Sequence, residues 1–240
     1  MPKRALTAIV VVLGLAVAAG LLAGRLLGVG AASSGSPVPA VGSPAAVSYP
    51  SFQGSFRALT PQEERWMTGR TWHKGCPVPI SELRLLSLDY VNFDGVVAAG
   101  RMVVNQKVAT DVLGAFQVLY ENRFPLEDVD TLDLYPPGAP PIDRRDVTVA
   151  FNCRDVAGTS TWSQHAFGTA VDINPMQNPQ VKGGDVVPAA GIGYVDRSQG
   201  LQGMIHEGDV VDRAFSAIGW GWGGRWRSFK DYMHFSLRGT

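Results

Sequence analysis

Cysteine is nearly absent from this 240-residue chain, with only Cys76 and Cys153 present. Neither belongs to a close Cys-x-x-Cys pair, which argues against a cysteine-ligated zinc module. Histidine is almost as scarce. There are four, so any imidazole site must draw on His73, His165, His206 and His234. Net charge is also missing, with 21 basic residues against 21 acidic ones. That leaves no electrostatic argument for nucleic acid or for broad attraction to an anionic surface. No Gly-x-Ser-x-Gly elbow occurs, so Ser163, His165 and Asp172 do not read as a serine triad. No His-x-Asp pair occurs either, which counts against an iron oxygenase triad.

Charge is locally absent at the start as well. After the basic Met1-Pro2-Lys3-Arg4, twenty residues from Ala5 to Gly24 carry none. A secretory hydrophobic region runs about 7–15 residues, whereas a spanning helix needs about 20. The length favours an uncleaved anchor, while Ala31-Ala32-Ser33 offers a cleavage site. Residues 1–30 are therefore expected to be a signal peptide or a membrane anchor. Lys3 and Arg4 stay inside in both cases and the rest is exported. The expected location is extracytoplasmic, membrane-anchored or secreted. Residues 31–50, rich in Ser, Gly, Pro and Ala, read as a flexible linker. Residues 51–240 suit one domain, its motif core at 150–240. In an exported domain an even cysteine count favours one Cys76–Cys153 disulfide, the alternative being two buried thiols.

The pattern of the exported part predicts a mixed α+β domain with a small, mainly antiparallel sheet and flanking helices. Thr60-Pro61-Gln62-Glu63 carries an N-cap, a Pro at N1 and first-turn acid, predicting a helix to about Thr68. Leu83 to Phe93, closed by Asp94-Gly95, and Arg101 to Val104 read as strands. Val108, Val112, Leu113, Phe116, Leu119 and Tyr120 have the spacing of a one-sided helix over Lys107 to Arg123. Val129 to Leu134 reads as a strand and Tyr135 to Pro141 as a Pro-rich loop. Val171 and Ile173 alternate with Ala170, Asp172 and Asn174, predicting a strand with its even positions toward a cleft. Pro175 to Gly203 reads as a long functional loop, a lid or binding wall. Glu207 to Ile218 reads as a helix and Met233 to Leu237 as a last strand. The tryptophans from Trp220 to Trp226 read as core packing in preference to a cleft wall, and His73 and His206 as solvent-facing or capping residues.

The chemistry concentrates in two segments, Ser163-Gln164-His165-Ala166-Phe167-Gly168-Thr169-Ala170-Val171-Asp172 and Asp231-Tyr232-Met233-His234-Phe235. His165 and Asp172 are seven residues apart, so on a straight strand they would face opposite sides. Gly168 can take the turn that brings them to one side, and His234 would join from a neighbouring strand. Two imidazoles and one carboxylate can hold a divalent metal and leave one position open. Zn²⁺ in such a site lowers the pKa of a water to about 7. Asp231 would lie beside it as general base. The plainer alternative makes His165 a turn cap, Asp172 a turn or ion-pair residue and His234 a half-buried strand residue.

Ser-x-His-x-x-Gly-x-Ala-x-Asp followed by Asp-x-Met-His-Phe resembles the zinc D-alanyl-D-alanine carboxypeptidase/dipeptidase and L-alanyl-D-glutamate endopeptidase family of bacteria and phages. Its D-alanyl-D-alanine carboxypeptidase-like branch is the most similar. Gly75-Cys76-Pro77, Phe151-Asn152-Cys153-Arg154, Asp172-Ile173-Asn174-Pro175, Asn178-Pro179 and Gly219-Trp220-Gly221-Trp222-Gly223-Gly224-x-Trp226 share the likeness, which spans roughly residues 70–240. The resemblance implies a hedgehog/D-Ala-D-Ala-peptidase-like fold, with His165, Asp172 and His234 as zinc ligands. It implies Asp231 as the catalytic acid/base and Arg154 as the group that polarises the scissile carbonyl. Ser163 would contact substrate or brace a ligand. The run Arg144 to Ala150 departs from the family's more polar stretch and bears on substrate preference.

The implied activity is a zinc metallopeptidase cutting the stem peptide of peptidoglycan, at D-Ala–D-Ala or alternatively at L-Ala–D-Glu. A non-catalytic zinc-containing wall-binding module is the other alternative, because hedgehog domains share the fold. The expected partners are the stem peptide and, if the N-terminal segment stays uncleaved, the membrane. No nucleic acid is expected, and the chain is expected to be a monomer.

Overall fold

The structure is a computed structural model that describes residues 49–131 and 146–239. The hydrophobic segment 5–24, the linker up to residue 48, residues 132–134 of the expected strand, the Pro-rich loop 135–141 and Arg144–Arg145 lie outside those residues. Among the described residues no helix is long and apolar enough to cross a membrane.

The first half is built on a hairpin. Strand β1 (Gly54–Ala58) leads into helix α1 (Pro61–Met67), and β2 (Leu83–Val91) and β3 (Val97–Asn105) follow. Thr60 and Glu63 cap α1 reciprocally through a capping box, with Pro61 at the first position, so this helix starts where its residues indicate. The three strands pair antiparallel in the order β1-β2-β3. At the β2–β3 turn the Asn92 carboxamide accepts from the Asp94 and Val96 amides, and Gly95 takes a positive φ of 75°. Strand β2 alternates with period two, yet both of its faces are buried over part of its length. Leu86 and Leu88 join Met102 and Val104 in the main apolar cluster, whereas Leu83 and Leu85 join Val103, Met67 and Phe151 in a smaller one behind. Helix α2 (Ala109–Glu121) covers the main face with Val112, Phe116, Leu119 and Tyr120, the stripe its spacing predicts.

The second half consists of short pieces. Strands β4 (Asp128–Val129) and β5 (Val147–Thr148) form a two-residue parallel pair. Strands β6 (Ala170–Asp172), β7 (Gln180–Lys182) and β8 (Asp185–Val187) come next, then helix α3 (Val210–Ala217). Strands β9 (Gly221–Trp222), β10 (Lys230–Asp231) and β11 (His234–Ser236) close the described chain. They make two more antiparallel sheets, ordered β6-β11-β9 and β10-β7-β8. The architecture is α+β as expected, but among the described residues the single small sheet is replaced by three three-stranded sheets and one parallel pair. The stretch 175–203 is not structureless. It carries the β7–β8 hairpin and short 3-10 turns at Ala189–Tyr194 and Arg197–Gln199. Arg197 holds this stretch together by donating to the Gln177, Tyr194 and Ile205 carbonyls and to the Asn178 side chain.

Cys76 and Cys153 are bonded as expected for an exported domain, and they border the smaller cluster. The bridge spans 77 residues, a length at which a cross-link removes about 4.5 kcal/mol of chain entropy from the unfolded state by loop-closure arithmetic. Replacing both cysteines with serine is expected to lower the unfolding free energy by about 2–5 kcal/mol in a urea titration. An unchanged midpoint would show that the bridge constrains nothing.

Candidate metal centre

Strand β11 shows why one short segment can serve both core and site. Phe235 is fully buried and stacks on Phe215 at 4.7 Å. Its neighbour His234 points the other way, as strand alternation requires. Strand β6 lies antiparallel to β11 with Asp172 directly opposite His234. Opposed residues in such a pair share a face with close Cβ atoms. His165 arrives by a different route. It sits in a 3-10 turn, Gln164–Phe167, which Gly168 ends in the left-handed conformation at φ 66°. A Cβ on Gly168 would meet the Asn105 amide nitrogen at 2.6 Å, so the turn needs glycine for space as well as for φ. The turn that spacing requires between His165 and Asp172 is therefore present.

The three side chains converge. His165 Nε2 lies 3.1 Å from Asp172 Oδ2 and 3.2 Å from His234 Nδ1, and His234 Nδ1 lies 3.0 Å from Asp172 Oδ1. Ligands about 2.0–2.1 Å from one tetrahedral cation stand about 3.3–3.4 Å apart, close to these separations. His165 Nδ1–H donates to the Ala150 carbonyl at 2.5 Å. A carbonyl only accepts, so Nδ1 keeps the proton and the neutral ring turns its Nε2 lone pair toward Asp172 and His234. Lone pairs that face one another in this way need a cation or an extra proton between them. The donor set thus fits a divalent metal, and these are the residues that could hold it.

The electrostatics agree. Burial works against a charged His165, but the Asp172 carboxylate outweighs it and the imidazole pKa is raised. Burial likewise opposes ionised Asp172, yet the two imidazoles pull it well below the usual carboxylate range.

Asp231 is buried on β10, in a different sheet from His234. One carboxylate oxygen, Oδ2, accepts from Gln180 Nε2 at 2.8 Å. The other, Oδ1, is buried with no hydrogen-bond partner among the described residues. Burial, then the Asp172 charge, push its pKa from 3.8 to about 6. Gly223 lets the chain pass close behind it, since a Cβ there would meet the Asp231 carbonyl at 2.5 Å.

Arg154 is exposed, and its charge opposes protonation of His165. Its carbonyl accepts from the Ser163 amide at 3.0 Å, which ties it to the His165 turn. Ser163 is buried, and its hydroxyl caps that turn by accepting from the His165 amide at 3.3 Å.

Other expectations need correction. Asn174 does not face the cleft. It takes a positive φ of 44°, is fully buried, and donates to the Pro125 and Gly203 carbonyls. The tryptophans divide. Trp220 and Trp222 are core, but the half-buried Trp226 ring lies 5.4 Å from His234. His73, by contrast, is exposed as expected; it sits 3.5 Å from the Cys153 sulfur, and since both nearby sulfurs are spent in the disulfide this second His/Cys cluster is no ligand set. His206 is partly buried and does not cap α3, a role taken by Asp209. Sequence reasoning missed Gln180, a polar residue in a stretch read as loop.

No curated protein and no solved structure matches the chain. Residues 157–237 match the model of the family described as D-alanyl-D-alanine carboxypeptidase. The match begins after Cys153 and Arg154 and contains the whole His165, Asp172, His234 cluster together with Asp231 and Gln180. The segment that builds this site is therefore similar to the D-alanyl-D-alanine carboxypeptidase family.

Proposed function

We propose that this chain is a zinc-dependent D-alanyl-D-alanine carboxypeptidase acting outside the cytoplasm on the stem peptide of peptidoglycan. The observation that carries the proposal is the convergence of His165 Nε2, Asp172 and His234 Nδ1 at ligand spacing, with the His165 tautomer set by Ala150. Zinc in such a site polarises a scissile carbonyl and acidifies a water.

The chain's own residues supply the rest. Asp231, ionised, takes a proton from the attacking water on one carboxylate oxygen and passes it to the departing amine. Burial raises its basicity toward neutral pH. Arg154 offers a fixed fork of N–H donors to the developing oxyanion. The Trp226 ring, tilted beside His234 at 5.4 Å, forms an apolar neighbour to the site. The Ala150 carbonyl fixes the His165 ring, and Ser163 braces the turn that carries it. The disulfide fits an oxidising compartment. We place the protein there as a monomer, held to the membrane if residues 1–30 stay attached, with no nucleic-acid partner.

Digestion of purified stem pentapeptides, with products read by mass spectrometry, tests the proposal. Loss of one terminal alanine, abolished by a chelator and restored by zinc, is the expected result. A cut after the first L-alanine would make the protein an L-alanyl-D-glutamate endopeptidase. Stoichiometric zinc with no cleavage of any muropeptide would make it a binding module.

A further inference from the structure

Asp231 can act as a base only if one oxygen faces the reaction and the other is held. A carboxylate rotates about a broad two-fold torsion, so burial alone does not decide which oxygen faces where. The β10-β7-β8 sheet supplies the hold. Strand β7 runs antiparallel to β10 with Gln180 directly opposite Asp231. Their side chains therefore share one face, close enough to touch. Gln180 Nε2 donates to Oδ2 at 2.8 Å, and the amide must present its nitrogen because an ionised carboxylate only accepts. Oδ1 then remains buried with no partner among the described residues. The Asp231 backbone also packs closely against Gly223, where a Cβ would meet the Asp231 carbonyl at 2.5 Å.

The Gln180 side chain gives its hydrogen bond to Asp231, and its strand continues directly into the exposed β7–β8 turn at Gly183 and Gly184. We propose that Gln180 is a positioning residue, which fixes the Asp231 carboxylate so that Oδ1 is the oxygen that handles the proton. The β7–β8 hairpin is then part of the catalytic apparatus, because it carries the residue that aims the base. This inference rests on the peptidase reading above and adds a residue to it.

The test compares the zinc-loaded full chain with Gln180→Met, which keeps length and removes the donor, and with Gln180→Glu, which keeps shape and sets a carboxylate against Asp231. Both variants are expected to hold zinc as the wild type does. Their kcat should fall about tenfold or more with KM within about twofold, since the lost contact acts on the transition state. The acid limb of kcat/KM should move to higher pH, which a purely structural contact would not cause. Crystal structures of the two variants should show the Asp231 carboxylate turned from its wild-type orientation. Unchanged kcat, unchanged limb and an unmoved carboxylate would overturn the proposal. If the methionine variant loses zinc or its melting transition, the glutamate variant decides alone. If the wild type itself cuts no stem peptide, the hydrolytic reading falls, and the orientation of Asp231 in the crystals still decides the role of Gln180.

Discussion

Asp231→Asn is expected to bind zinc as tightly as the wild type and to hydrolyse stem peptide about 10²–10⁴-fold more slowly in kcat, the usual worth of a positioned acid/base. The substitution keeps the shape and removes the ability to take a proton. Asp231 is not among the three converging donors and sits in another sheet, so metal binding does not depend on it. The pH dependence adds a second signature. Burial and the Asp172 charge raise this carboxyl to about 6 in the metal-free protein. A dication beside it would draw the value down, so the acid limb of kcat/KM in the zinc enzyme should lie at or below pH 6. Stability has the opposite sign. A carboxyl whose pKa is higher folded than unfolded helps the fold below the unfolded value and loses that help as pH rises through about 6. The metal-free Asn variant should therefore melt at a higher temperature than the metal-free wild type above pH 6, with the gap closing toward pH 4. A variant with full activity, or one that melts lower at neutral pH, contradicts this role.

Asp172→Ala is expected to abolish both zinc binding and hydrolysis. Asp172 stands within 3.1 Å of His165 Nε2 and 3.0 Å of His234 Nδ1. Its backbone is also pinned, exchanging bonds with Val149 on one side while β11 pairs on the other. Removing the carboxylate leaves two neutral imidazoles, a weak pair for a dication, and takes away the one negative ligand. Zinc affinity by competition with a chromogenic chelator should fall by at least about 100-fold, a floor set by what losing even an outer-shell partner costs. His165→Ala should behave alike. Retained stoichiometric zinc in Asp172→Ala would place the metal elsewhere.

How much of this was legible in the sequence depends on range. The capping box at Thr60 and Glu63, the Asp94-Gly95 turn and the α2 stripe are local, and their residues state them directly. The convergence of His165, Asp172 and His234 was legible because Gly168 sits between His165 and Asp172, where a reversal is needed, and because β11 alternates between site and core. Asn174 failed because alternation continues on paper past Asp172, whereas the chain bends there and buries the amide as a backbone crosslink. The β7–β8 hairpin was hidden because three-residue strands lack periodicity, and β7 pairs with a partner as distant in sequence as Asp231. Gln180 was missed for the same reason. Its meaning comes from facing a residue 51 positions away.

The most direct test of the central claim is a crystal structure of the zinc-loaded protein with anomalous data on both sides of the zinc edge. The account predicts one zinc bonded to His165 Nε2, His234 Nδ1 and an Asp172 oxygen at about 2.0–2.2 Å, with a further position open toward Asp231. Zinc bound through other residues, or a closed four-protein-ligand site with no open position, would contradict it.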